Sequence, residues 1–487
     1  MRILNRALLV SAFGGLTALV AACPARLDDR CANGTCDPSA SSGSSGDGGE
    51  DSDVKVPEGC ELSKPVKESP KCIDGDIGVF VSASGEDAAT GKKDAPVRTI
   101  AKGIELAARD GRPRVYVCDG QYPAGIELKV RVSIVGGLDC SWNPADKRPI
   151  ISPAKGTAVR ISKVSGISLQ DLEVIGAADP NIPGDSAISI FVSEATDVKF
   201  RGLVVRAGDA TNAVTAGTKS NWTGLATVGA TAAMGGGGPS CSCLDGTSSS
   251  KGGNGGAIGL GGTTGSATPS VGMPNGGGGG DSCLQGGDGE HGGAGTGGEG
   301  ALKSGTLSNV AWTNLVDAKP GLAGGPGQGG GGGGGRNGVT GGGGGGCGGC
   351  GGGGGEPGLN GGSSFAVVSF ASTLEIRDSD IATGKGGNGG AGGPGQDGQA
   401  GAGGGVGACD GGPGGNGAGG SGGGGGAGGH SVPVAFTAPQ PTIIGGKATP
   451  GGPGAPGQGG PAGGGPTTAG KIGKPGAGGK SQATLAL

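Results

Sequence analysis

Over residues 386–409 glycine opens eight consecutive triplets, GGN GGA GGP GQD GQA GAG GGV GAC, and after Asp410 the phase slips by one and resumes as GGP GGN GAG GSG. A three-residue period fits neither the 3.6-residue α-helix nor the two-residue alternation of a strand. It suits left-handed extended helices of the polyproline type, packed side by side with glycine at each contact and weak Cα–H···O bonds between them. Collagen would need proline in the second and third places, which Gly, Ala and Asn fill here. Flexible linkers are the competing expectation, because glycine loses more backbone entropy on ordering than any other residue. The stretches 329–335 and 341–355 lose the triplet phase, and the same reasoning predicts disorder for them. Only 22 of the 128 glycines precede Phe200, and aromatic residues make up 2% of the 487. An enzyme with an ordinary packed core is therefore not expected for the chain as a whole. The formal charge of −4 includes no basic cluster near the few aromatics, which argues against a nucleic-acid partner.

The chain begins with Arg2 and Arg6, an apolar run over 7–20 and small residues before a cysteine, the parts of an export signal. Leu19-Val20-Ala21-Ala22-Cys23 resembles the lipobox of bacterial lipoproteins. That resemblance implies that Cys23 becomes the mature N-terminus, carries diacylglycerol and an amide-linked acyl chain, and makes membrane lipid a partner. Pro24 stands where a retention aspartate would be, so the expected location is the outer membrane, on its periplasmic or its external face. Residues 23–72 read as a lipidated, acidic, disordered tether, rich in Ser, Gly, Asp and Glu.

Thirteen cysteines less Cys23 leave an even number in an exported chain, which favours disulfides. Nearest-neighbour pairing suggests Cys31 with Cys36, Cys60 with Cys72, Cys118 with Cys140 and Cys347 with Cys350, leaving Cys241, Cys243, Cys283 and Cys409 unassigned. A zinc or redox role for Cys347-Gly-Gly-Cys350 lacks a second half, since His291 and His430 are the only histidines. No metal or cofactor is expected.

Between 75 and 205 the composition turns aliphatic, in short runs separated by turn residues. A helix is predicted over 100–108, with Ile100, Gly103, Ile104 and Ala107 on one face and Thr99 as N-cap. The run Val79-Phe80-Val81, then Pro96-Val97-Arg98-Thr99-Ile100, then Val115-Tyr116-Val117-Cys118-Asp119-Gly120-Gln121-Tyr122 resembles the opening of right-handed parallel β-helix proteins of the pectin-lyase-like superfamily. The segments starting at Val132, Ile167, Val198, Val310 and Leu374 repeat one pattern: apolar, gap, apolar, gap, then Gly, Asp or Asn. The apolar pair is expected to face inward, and Gly136, Asp171, Gly202, Asn314 and Asp378 to form a corner column of left-handed backbone. The expected fold is all-β: a right-handed parallel β-helix with one N-terminal capping helix, interrupted by glycine-rich insertions that are polyglycine II-like or disordered. Those insertions also resemble the repeat domains called PGRS, without the N-terminal module these usually carry.

The resulting organisation is a signal peptide (1–22), tether (23–72), cap and first coils (73–211), glycine-rich insertion (212–300), coil (301–319), second insertion (320–363), coil (364–385), GGX triplets (386–430), a last coil (431–449) and a Gly/Pro-rich tail (450–487). Catalytic motifs are few. Gly419-Gly420-Ser421-Gly422-Gly423 fits a nucleophile elbow but has no strand before it and no helix after it. A polysaccharide lyase or glycosidase of the pectin-lyase-like type is the enzymatic alternative, with Asp171, Glu173, Asp197, Arg201, Arg206, Glu375, Arg377, Asp378 and Asp380 as candidates. Their columns mix carboxylates with Gly, Val and Asn, so no catalytic residue is assigned. The expectation is a non-catalytic structural or adhesive lipoprotein of the cell envelope, whose partners beyond lipid are envelope or extracellular polysaccharide or neighbouring copies.

Overall fold

The computed structural model describes residues 56–272 and 275–487, all within the compact unit Ser52–Leu487. The signal segment, Cys23, Cys31 and Cys36 lie outside the described residues.

Three parallel sheets account for nearly all the strand. The first joins Gly78–Val81, Arg114–Cys118, Ser133–Leu138, Ser165–Gln170, Thr196–Arg201, Leu374–Arg377 and Thr442–Ile444. The second joins Gln121–Tyr122, Ile150–Ile151, Glu173–Gly176, Val204–Ala207, Asp380–Thr383 and Lys447–Thr449. The third joins Ile126–Leu128, Val159–Ser162, Ala187–Ser193, Ser364–Phe370, Ser431–Phe436 and Thr484–Ala486. From Arg114 onward the chain visits the first, second and third sheets in strict rotation, so each circuit lays one strand on each sheet beside its predecessor.

Register turns this rotation into a core. Val79, Val115, Ile134, Leu169, Phe200, Ile376 and Ile443 stand in line across the first sheet, each paired with the next. All but Ile443, on the last strand, are buried. Val159, Ile190, Val367 and Val434 form the matching line in the third sheet, and Val174, Val205 and Ile381 in the second. Stacked aliphatic rows fill the interior with almost no aromatic residue. Parallel strands about 4.8 Å apart meanwhile satisfy each other's backbone groups. Among the described residues one α-helix, Ile100–Arg109, packs against the first strands with Ile100, Ile104 and Ala107 buried, and its cap Thr99 accepts from the Lys102 N–H at 3.2 Å.

Several expectations need correction. Residues 56–72 are not a tether. Val66 and Cys72 pack with Phe80, Tyr116 and Trp142 on the outer side of the first sheet, because Val66 and Leu62 find an apolar face there. Of the five repeat segments, four lie side by side in the first sheet. The fifth does not: Gly305–Leu307 and Trp312–Asn314 form an antiparallel hairpin, with Val310 exposed and Trp312 packed on the outside of the third sheet. Alternation at period two describes a hairpin strand as well as a coil strand, so the pattern could not separate them. Finally, 450–487 is no tail, since the chain returns to pair Thr484–Ala486 with the Ser431–Phe436 strand.

Among the described residues, glycine-rich segments enter at one place. All three leave a second-sheet strand and rejoin a third-sheet strand, at 208–363, 384–430 and 450–483. Each begins with an outgoing leg (208–230, 384–405, 450–464) and ends with a returning one (341–362, 411–430, 470–480). Corresponding legs stack on one another in the same order as the circuits that emit them.

Candidate functional site

The legs form a hydrogen-bonded array. Along 342–346 successive N–H groups donate to Gly256, Cys409, Ala230, Gly253 and Gly412 carbonyls at 2.8–3.0 Å, so the direction of donation repeats every third residue. Each interior leg is thus joined to neighbours on three sides. The outgoing leg 384–405 runs antiparallel to 341–362, donating from Gly387, Gly390, Gly393, Gln396, Gln399, Ala402 and Gly405.

This geometry overturns the expected disorder of 329–335 and 341–355, which are almost wholly buried and bonded in this way. An added Cβ would lie 2.3 Å from the Gly237 oxygen at Gly344, 2.0 Å from the Gly330 oxygen at Gly345 and 2.2 Å from the Ala402 oxygen at Gly346. A leg enclosed on every side needs glycine in all three columns, and the triplet phase vanishes for that reason. The triplets of 386–400 belong to a leg with one open side, where Asn388, Pro394, Asp397 and Ala400 are exposed.

Side-chain amides and prolines finish the array where legs are missing. Gln396 Oε1 accepts from the N–H groups of Asn221 (2.6 Å) and Gly353 (3.0 Å), and its Nε2 donates to the Trp222 carbonyl at 3.1 Å. Gln399 Oε1 accepts from Cys350 at 2.8 Å, and buried Asn360 bridges Ala427 to the Lys303 carbonyl. An amide side chain carries the same donor and acceptor as a peptide group, so it can stand in for one. In the last outgoing leg, Gly454, Gly457, Gly460 and Gly463 donate inward, while Pro453 and Pro456 stand in a column from which no N–H donates to another leg. Proline has no N–H to leave unpaired there. The glutamines in GQD GQA were visible in the sequence, but their role depends on knowing which column faces a neighbour.

Five disulfides brace the described residues. Cys60 bonds Cys72 and Cys118 bonds Cys140, while Cys241 bonds Cys347, Cys243 bonds Cys350 and Cys283 bonds Cys409. Cys347 and Cys350 do not pair with each other. Residues three apart on such a leg are separated by about 9 Å, beyond the ~7 Å Cα–Cα reach of a disulfide. Each is met instead by one cysteine of Cys241-Ser242-Cys243.

At the corner after the first sheet, Asp171 (φ 49°), Gly202 (φ 61°), Asp378 (φ 49°) and Gly445 (φ 68°) share left-handed backbone. The ladder continues through them, from the Asp171 N–H to the Arg201 carbonyl at 3.0 Å and from the Asp378 N–H to Ile444 at 2.9 Å. Two members of the expected column change. Gly137 (φ 71°), not Gly136, takes the position, since the register shifts by a residue between Tyr116 and Cys118. Asn314 belongs to the hairpin instead.

The other acidic and basic candidates are dispersed along outward faces. Glu173 meets Arg206 at 3.4 Å, Glu375 meets Arg377 at 3.2 Å and Asp197 meets Lys199 at 2.8 Å, while Arg201 donates to the Ser63 carbonyl at 2.6 Å. Asp380 is exposed, two strands from Glu173 with Val204 between. Burial beneath the corner pushes the Asp171 carboxyl above its ordinary range, against the pull of Lys67 and Arg148. No cluster of three or more His, Cys, Asp or Glu suited to a metal occurs among the described residues.

Where the array joins the third sheet, His430 packs near Trp312 and Phe365, and its Nδ1 accepts from the Lys480 N–H at 3.0 Å. Burial, with the Lys480 charge second, drives its imidazole down to about 4. Beside this junction a cleft of about 490 Å³ opens between the hairpin and the 182–188 segment, lined by Arg160, Asp185, Ser186, Trp312 and Asn314 among others. Its polar groups already have partners: Arg160 donates to the Val310 carbonyl at 2.9 Å, Asp185 accepts from Asp179 at 2.7 Å, and Asn314 accepts from the Trp312 indole at 3.1 Å. Away from this cleft, the described residues display the outward columns of the array. No family model, curated protein or solved structure matches the chain.

Proposed function

We propose that the three sheets are the faces of a right-handed parallel β-helix, that the legs form a polyglycine II-type array, and that the protein is an exported lipoprotein held at the outer membrane through Cys23. Its role is structural or adhesive. Handedness follows from the strong bias of parallel crossovers, and a strand-by-strand rotation through three sheets is the topology such a solenoid requires. The observation carrying the functional reading is the array itself, whose interior backbone is bonded leg to leg and whose outward columns present small or polar side chains such as Asn388 and Asp397. A braced plate of this kind suits repeated weak contacts with glycans or neighbouring copies. The reading extends from physical character to role, since architecture does not by itself dictate function.

Acyl labelling of the wild type and of Cys23→Ser tests the anchor, and label retained by the variant would exclude it. Retention of the protein on envelope polysaccharides tests the adhesive role. Asn212, Asn388 and Asp397 each accept from a backbone N–H of the next leg through Oδ1, so they are replaced together by Ala and the disulfide map is checked; with that map unchanged binding should weaken severalfold, and indifference would count against the array. Incubation with acidic and neutral polysaccharides plus Ca²⁺ tests the cleavage alternative. Products that disappear in Asp378→Ala would replace the structural reading with an enzymatic one.

A further inference from the structure

At the far end of the array, where the legs reverse, exposed aliphatic side chains gather on neighbouring turns, whereas along the legs they stand apart, as at Val214, Leu322 and Ile472. Five reversals meet there, at 231–235, 257–260, 280–284, 336–340 and 406–410. Gly341 donates to the Ala233 carbonyl, Ala408 to Gly341, Gly335 to Leu260, and Asn337 Nδ2 to Asp281 at 2.9 Å, while Cys283 bonds Cys409. The reversals are therefore one surface. Every one of them exposes an aliphatic side chain: Met234 (72% exposed), Ile258 (41%) and Leu260 (63%), Leu284 (64%), Val339 (62%) and Val406 (65%). Single exposed aliphatics are ordinary, but one on every reversal of a clustered set is not.

We propose that this end of the array inserts into the interfacial region of a lipid bilayer. Three observations favour lipid over a protein partner. First, the side chains project from separate convex turns rather than lining a groove, a shape that a fluid surface accommodates. Second, the five turns hold only three charged side chains, too few for the complementary charge pairing that fixes the register of a protein partner. Third, four of the six aliphatic residues have their backbone N–H already paired. The N–H of Leu260 bonds Ala257, that of Leu284 bonds Gly278, that of Val339 bonds Arg336, and that of Val406 bonds Thr231 Oγ1 at 3.2 Å. Polar backbone atoms that enter a bilayer must be paired in this way. Charge within the five turns is limited to Asp281, Arg336 and Asp410, and Asp410 Oδ1 accepts from the Gly407 N–H at 3.1 Å. Attraction to anionic headgroups is consequently no part of the interaction, and a zwitterionic surface suffices. The inference stands apart from acylation at Cys23, which lies outside the described residues.

The test places a local reporter at the tip, so an N-terminal anchor cannot imitate the result. Full-length protein carrying Val406→Trp is mixed with phosphatidylcholine vesicles whose acyl chains are brominated near the glycerol end, and its emission is read as the difference from the wild type, which carries Trp142, Trp222 and Trp312. The new tryptophan should shift to the blue and be quenched, and quenching should survive about 1 M salt, which screens ionic attraction. Adding Leu260→Ser, Leu284→Ser and Val339→Ser should weaken the vesicle dependence about tenfold or more. All four positions are exposed, and an unchanged disulfide map would show that each variant folds. An unquenched tryptophan on protein bound to vesicles would overturn the proposal. So would vesicle-independent dimerisation abolished by the same serines, which would assign the surface to a second copy.

Discussion

Gly345 lies so near Gly330 that a β-carbon on it would stand 2.0 Å from the Gly330 carbonyl oxygen, inside any tolerable contact. Gly345→Ala should therefore separate two legs or unwind part of one. We expect a loss of about 3 kcal/mol, the upper part of the overpacking range, measured as a shift of the denaturant midpoint. Ala400→Ser, on the exposed column of the outgoing leg, should leave that midpoint within about 0.5 kcal/mol. Equal tolerance of both changes would mean that the legs are not packed.

Cysteine connectivity offers a chemical check. Peptide mapping without reduction should recover Cys241 with Cys347, Cys243 with Cys350 and Cys283 with Cys409. Cys347→Ser should release one free thiol at Cys241. A Cys347–Cys350 bridge would contradict the extended legs directly.

The buried imidazole of His430 predicts acid sensitivity. Its ordinary value of 6.5 falls to about 4 in the folded chain. Between those values the unfolded chain binds a proton that the folded chain refuses, so stability declines as pH falls from about 6.5 to about 4 and this contribution then levels off. Its full size is about 3 kcal/mol. His430→Asn can retain an acceptor for the Lys480 N–H without titrating. Its unfolding free energy should be flatter than wild type across that interval, and parallel profiles would refute the assignment.

Corner geometry makes a sharper distinction than charge. Asp171→Gly should cost under 1 kcal/mol, because glycine adopts φ near 49° without strain. Asp171→Val should cost about 2 kcal/mol, since left-handed backbone is disfavoured for a β-branched side chain. Thermal unfolding of the pair decides the point, and equal losses would assign the site to its carboxylate.

The parallel strands were legible because each aliphatic pair repeats with its own corner residue, as Ile167, Leu169 and Asp171 repeat in Val198, Phe200 and Gly202. The capping helix was legible from Thr99 and the face of Ile100, Ile104 and Ala107. Other features depend on neighbours supplied by distant parts of the chain. Nothing local to Cys347 says that Cys241 lies across from it, and nothing local to 341–355 says that legs lie on three sides. Unbroken glycine reads as slack when it is taken alone, and the same run is what full enclosure demands. Trp312 misled for a related reason: its alternating segment belongs against the outside of a sheet, which only the assembled fold provides.

Because every excursion departs from the second sheet and comes home to the third, the stacked parallel strands keep their spacing whatever the reach of the arm. Arms of this kind could be lengthened or trimmed in steps of three residues on each leg, since a step of three returns every column to the face it had before. Growth in other steps would rotate carbonyls away from their donors. The seam therefore acts as a ruler graduated in triplets, along which reach can vary while the body beneath it is unchanged.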